Sequence, residues 1–311
     1  MRASSSLRWP GFRSVLCPVD FSEPSRLALR YAEAMAARGR ATLDVAYAND
    51  PLLVAAAAVA LHDRTIAQRS ATELRAFVRK TLSRRARTDL LRTVRVSTGD
   101  PAAEILKAAA RLRSDLIVLG THGLTGADRL IIGSTTLSVL QRTTLPVLAI
   151  PARSTTPPHW PGESIVAALE LDAKSPREIE IASRVAEWLG TRLVLLHVVT
   201  GTRAPAWVRG DLAAHDRIRA GRAEQQLNDL ARAARRRVPT DTHVVCGNAA
   251  DEIAAFAATA RPGFVMTALR DRRGWFGARR GSLSHHVLSY AVSPVLAYPE
   301  TWQPHVGRAR R

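Results

Sequence analysis

At 311 residues the chain is too long for one ordinary domain and suits two of about 150 residues each. No run of about 18 uncharged apolar residues occurs, which argues against a transmembrane helix. Cys17 and Cys246 have neither a Cys-x-x-Cys spacing nor a His/Cys cluster beside them, which argues against a disulfide scaffold and a zinc module. The net charge of +18 is carried almost wholly by arginine, because Lys80, Lys107 and Lys174 are the only lysines. Such an excess attracts anions. The arginines are spread along many helices without a nucleic-acid-binding signature, so a solvated basic surface is expected, and neither nucleic acid nor membrane as a partner.

Residues 1–12 hold Arg and Ser but no apolar segment of signal-peptide type, and are expected to form a disordered lead-in to a cytoplasmic protein. The first strand is expected over 14–19, ending at Asp20. Ser22 and Pro24 start a helix that Gly39 ends, with Leu27, Tyr31, Ala34 and Met35 on one face. A second strand over 41–48 leads into a long helical region over 52–87. A third strand over 91–98 stops at Gly99, and Asp100 with Pro101 caps a helix through Leu112. Strands alternating with helices imply a parallel sheet with right-handed crossovers. Both cysteines fall in expected strands, where each reads as a small buried hydrophobe.

The segment from 115 to 151 organises the chain. Leu116, Ile117, Val118 and Leu119 form an unbroken apolar run, as in a parallel strand covered on both faces. Gly120 and Gly123 follow, then, after nine residues, Gly133 with Ser134, Thr135 and Thr136. Each residue alone would be an ordinary turn glycine or helix cap. Together, at the carboxyl end of a buried strand, they make a backbone cradle for an anion, with free N–H groups and the positive end of a helix dipole facing a phosphate.

This Gly-x2-Gly-x9-Gly-Ser/Thr pattern, closed by the strand Pro146-Val147-Leu148-Ala149-Ile150-Pro151, resembles the nucleotide-binding signature of the universal stress proteins. The resemblance implies an α/β fold of two tandem Rossmann-like (adenine nucleotide alpha hydrolase-like) domains, each a five-stranded parallel sheet with helices on both faces. It also implies ATP, with or without Mg, bound across the ends of the first and fourth strands. Carried over position by position, Asp20 faces the adenine or ribose with Pro18 and Val19 as its wall. Val45 and Ala46 offer backbone to the adenine. Gly120, His122 and Gly123 line the ribose and phosphate turn, while Gly133, Ser134, Thr135 and Thr136 hold the phosphates.

Residues 152–163 read as a linker, and the pattern then repeats. Strands are expected over 165–169, 193–199, 243–246, 264–267 and 295–298. From Ser97 onward the halves align at a constant offset of 148, with Gly99 on Gly247, Glu104 on Glu252, Gly133 on Gly281 and Pro146 on Pro294. The expected units are 13–151 with an intact motif, 164–299 with a degenerate one, and a basic tail over 300–311. In the second unit Gly120 becomes Ala268, Gly123 becomes Asp271 and Thr135 becomes Leu283, while Asp20 pairs with Glu170. Arg272, Arg273, Arg279 and Arg280 read as a basic solvated loop around Trp275 and Phe276.

No Gly-x4-Gly-Lys-Ser/Thr loop, Gly-x-Gly-x-x-Gly, Gly-x-Ser-x-Gly or His-Glu-x-x-His occurs, and His285 and His286 read as surface or capping residues. The expectation is a non-enzymatic regulator or sensor of stress that binds ATP in its first half with little or no turnover. The alternative is a stress-domain module without useful nucleotide affinity that acts on protein or nucleic-acid partners through its arginine surface. Family resemblance further implies that Val147–Ile150 pairs with Val295–Tyr298 inside one chain, with association into a homodimer left open.

Overall fold

A computed structural model describes residues 9–60, 65–121, 132–154, 160, 162–202, 212–269 and 293–304. In chain order the elements are β1 (Ser14–Pro18), α1 (Glu23–Gly39), β2 (Thr42–Asn49), α2 (Pro51–Ala60), α3 (Ile66–Thr81), α4 (Arg84–Asp89), β3 (Leu91–Thr98), α5 (Pro101–Leu112), β4 (Leu116–Gly120), α6 (Ser134–Arg142) and β5 (Val147–Ile150). The second half supplies β6 (Ile165–Leu169), α7 (Ser175–Leu189), β7 (Leu193–Val199), α8 (Leu212–Arg235), β8 (Thr240–Cys246), α9 (Ala249–Ala260), β9 (Phe264–Leu269) and β10 (Val295–Pro299). Among the described residues no helix is long and apolar enough to cross a membrane.

The ten strands form one sheet in the order β3-β2-β1-β4-β5-β10-β9-β6-β7-β8. Every neighbouring pair is parallel except β5 and β10, which run antiparallel with Leu148 opposite Leu296. The halves are thus related by a local twofold through this seam, and the expected pairing of the final strands is observed. One apolar layer lies beneath α1 and α7, the other beneath α5, α6 and α9, and each layer draws residues from both halves. The central strands are buried on both faces, which is why they read as continuous apolar runs.

Local chemistry explains the element ends. The Ser22 hydroxyl accepts from the Ser25 N–H at the start of α1, Asp100 accepts from Ala103 N–H at the start of α5, and Asn248 does the same for α9. The left-handed residue after α1 is Arg40 (φ 50°), while Gly39, the expected terminator, is still helical. The long helical region expected over 52–87 is divided. At Leu82 the backbone turns extended, and Ser83 caps a new helix by accepting from Ala86 N–H at 3.0 Å.

Two further expectations are corrected. Trp9 and Phe12, placed in a disordered lead-in, are 5% and 1% exposed. Their rings pack with Trp188 and Trp302 of the second half at centroid distances of 5.3 to 6.1 Å. A signal existed in the sequence, because Trp9-Pro10-Gly11 recurs as Trp160-Pro161-Gly162. Trp160 packs on Phe264. Cys17 is buried as expected, but Cys246 is exposed because it ends β8, an outer edge strand of the sheet.

Candidate functional site

In the first half the strand order reverses direction between β1 and β4, the position where open parallel sheets form a crevice at their carboxyl ends. A cavity of about 380 Å³ lies there. It is bordered by Pro18, Val19 and Asp20 at the end of β1, Ala46, Tyr47 and Ala48 of β2, Asp50 and Leu53 at α2, and Gly120 with Gly133, Ser134, Thr135 and Thr136 across the β4–α6 connection. Ser97, Pro101 and Glu104 close its remaining side. The volume falls within the range of roughly 300–1,000 Å³ typical of small-molecule sites.

The α6 end of the cavity has the chemistry that suits an anion. Gly133 is the N-cap and has no side chain with which to bond the first-turn N–H groups. Its own N–H donates to the Thr121 carbonyl at 2.8 Å, and Thr121 N–H donates to the Ile150 carbonyl at 2.9 Å, which aims the helix start at the strand ends. The Thr136 hydroxyl is committed to the Gly120 carbonyl at 2.8 Å, so Thr136 offers a ligand only its N–H. Ser134 and Thr135, in the first turn of α6, border the cavity.

The opposite wall is acidic and aromatic. Asp20 accepts from both the N–H and the hydroxyl of Ser22, at 3.1 and 2.5 Å, and so is held at the foot of α1. Phe21 adopts a left-handed conformation (φ 66°) that turns its ring onto Tyr47 and Phe77, at 4.6 and 5.7 Å. Burial first, and then the charges of Asp20 and Asp50, push the Tyr47 phenol above its ordinary pKa. Glu104 is held below the usual carboxylate range chiefly by its bond to Lys107 at 2.8 Å.

Nine of the twelve expected site residues therefore border one cavity: Pro18, Val19, Asp20, Ala46, Gly120, Gly133, Ser134, Thr135 and Thr136. Val45 does not. Its side chain alternates to the other face of β2 and is buried in the α1 layer. Ala46 accepts from Val19 N–H at 2.9 Å, so one acceptor direction of that carbonyl is used within the fold. A Cβ on Gly120 would lie 3.2 to 3.3 Å from Pro24, so this glycine also serves the close approach of α1. His122 and Gly123 lie outside the described residues, as do Asp271, Arg272, Arg273, Trp275, Phe276, Arg279, Arg280, Leu283, His285 and His286. Sequence reasoning missed Tyr47, Asp50, Ser97 and Glu104. The recurrence of Gly99 and Glu104 as Gly247 and Glu252 was visible, and in both copies the glycine packs against its glutamate.

The two sides of the cavity differ in the chemistry they suit. The helix end and hydroxyls suit phosphate, and the carboxylates suit ribose or base donors, since they would repel phosphate. Among the described residues no group of three His, Cys, Asp or Glu side chains is placed to hold a metal.

The second half differs at matching register. Where Pro18 faces Ala46, Leu169 faces His197, whose Nδ1 lies 2.8 Å from the Leu169 carbonyl. An imidazole thus stands where the first half has a methyl wall. Phe21 and Leu171 are both left-handed (φ 66° and 54°), which supports matching Asp20 with Glu170.

Comparison with known proteins gives the lineage of this arrangement. The model of the universal stress protein family matches residues 11–151 and again 163–299. The chain belongs to the universal stress protein family. Universal stress protein A homolog 1 of Coxiella burnetii is 30% identical over 146 residues, covering 45% of this chain and 96% of that protein. A universal stress protein of Methanocaldococcus jannaschii is 42% identical over 52 residues, 17% of this chain and 31% of the relative. Among solved structures, a universal stress protein of Archaeoglobus fulgidus superposes with a TM-score of 0.65 at 18% identity, covering 92% of this chain and 98% of that one. A functionally unknown protein of Pseudomonas aeruginosa PAO1 superposes with a TM-score of 0.63 at 17% identity, over 94% of both chains. These two structures share the tandem fold of this universal stress protein.

Proposed function

We propose that this universal stress protein binds ATP in its first half, residues 13–151, and acts as a regulator or sensor with little or no turnover, while residues 164–299 serve as its structural counterpart. The observation that carries this reading is the cavity at the ends of β1 and β4, with an α6 N-terminus that Gly133 leaves uncapped by any side chain. Backbone N–H groups of Ser134, Thr135 and Thr136 would hold the phosphates. Asp20 would take ribose or base donors beside the Pro18 and Val19 wall. Slow turnover accords with the described residues around the cavity, which offer no competent base. The Ser97 hydroxyl does meet Glu104, but Lys107 keeps that carboxylate's pKa low and its basicity weak.

Equilibrium binding of labelled ATP is expected to give a single site per chain. Gly123→Asp, which gives the first half the acidic residue that the second half carries in sequence at Asp271, is expected to abolish it. Undiminished binding by that variant would refute the proposal.

A further inference from the structure

Six of the arginines that look scattered in the sequence lie on segments that meet at one end of the sheet. At the amino-terminal end of the first half's strands, opposite the cavity, lie Arg13 before β1, Arg40 between α1 and β2, Arg84 and Arg85 opening α4, and Arg111 and Arg113 at the end of α5. All six are exposed. Backbone bonds hold the segments side by side. Thr42 N–H donates to the Arg13 carbonyl at 3.0 Å, Leu43 N–H to the Leu90 carbonyl at 2.8 Å, and Asp115 N–H to the Ser14 carbonyl at 2.9 Å.

The carboxylates at this end are committed. Asp44 is fully buried and bonded to Arg92, Asp115 accepts from the N–H groups of Arg13 and Ser14, and Asp89 lies 3.6 Å from Arg85. Glu33 accepts from Ser83 N–H at 3.4 Å. Arg40 and Arg113 occupy left-handed cap positions (φ 50° and 52°) that glycine fills most easily. A cation near a helix C-terminus gains from the dipole, but Arg38 and Arg111 already supply that in the last turns of α1 and α5.

We propose that this arginine face binds the sugar–phosphate backbone of a nucleic acid without reading its sequence. The exposed large apolar side chains of the described residues, Leu52, Leu53, Val59 and Ile218, lie elsewhere, on α2 and α8. A face of charge without apolar anchors lacks the core of a protein interface and the wedge needed to enter a bilayer. It suits phosphate, whose binding is electrostatic and driven by release of counterions.

The test is fluorescence anisotropy of a labelled DNA duplex titrated with the full chain across a range of salt concentrations. Arg40→Gly with Arg113→Gly removes two charges while easing both caps, so folding is preserved. Arg222→Ala with Arg236→Ala removes two charges from exposed positions in the second half as a control. The duplex is expected to bind at low salt, with the first pair weakening it roughly tenfold and flattening the log–log salt slope by about two, since each lost phosphate contact removes close to one unit. The control pair is expected to leave binding within about twofold. Absence of duplex binding at low salt, equal loss from both pairs, or equally tight binding of polyglutamate would overturn the proposal. ATP binding by the Arg40→Gly, Arg113→Gly chain is expected to be unchanged, so this result stands apart from the fate of the nucleotide reading.

Discussion

The carbonyl oxygen of Phe12 occupies the space that a side chain at Gly39 would need, since a Cβ built there would lie 2.4 Å from it. Alanine in place of glycine in a helix ordinarily gains up to about 1 kcal/mol. Here overpacking is expected to win and Gly39→Ala to cost roughly 1–3 kcal/mol. Urea denaturation checks the sign, and a stabilised variant would mean that the Phe12 segment moves freely.

Trp9 joins the halves through Trp188 and Trp302. Trp9→Ala is expected to destabilise the whole chain by about 3 kcal/mol, the range for deleting a buried aromatic ring. Chemical denaturation followed by tryptophan emission is the check. Melting of the first half alone would show that the ring cluster does not couple the two.

The Tyr47 phenol is raised by burial and by the neighbouring Asp20 and Asp50 charges, so the folded state prefers it neutral. Its contribution to stability is intact below the ordinary tyrosine pKa and is lost as pH climbs through the higher folded value. Ultraviolet titration of tyrosinate is expected to show a late step that Tyr47→Phe removes. Asp50→Asn is expected to bring that step to lower pH, because it deletes one of the charges opposing ionisation.

Cys17 and Cys246 should react differently with a thiol-specific chromogenic disulfide. Cys246 is exposed, whereas burial raises the Cys17 thiol far above its ordinary pKa. One equivalent per chain is expected to react in the native protein and the second only on unfolding. Two fast equivalents would mean that β1 is open to solvent.

Much of this fold is written locally. The third strand and the Asp100-capped helix lie where the sequence places them, because a glycine and an Asp-Pro pair punctuate them without ambiguity. The duplication is equally plain in the residues themselves, through the repeat at an offset of 148. What local pattern does not carry is the partner of a side chain. Trp9 and Phe12 read as a tail because their contacts, Trp188 and Trp302, lie far along the chain. Val45 and Ala46 are neighbours in sequence, yet the pleat sends Val45 to the core and leaves Ala46 at the cavity. Tyr47 and Glu104 entered the site through topology, which brings β2 and α5 to the end of β1. The arginine face was hidden for the same reason, since its six members come from four separate connections.

The antiparallel seam between β5 and β10 also has a genetic consequence. In a pair of identical subunits joined at this strand, every substitution would strike both copies at once. Covalent fusion frees them. Ala268 and His197 are confined to one half while the other keeps Gly120 and Ala46, so this protein can carry an asymmetric pair of sites that no homodimer of a single gene could encode.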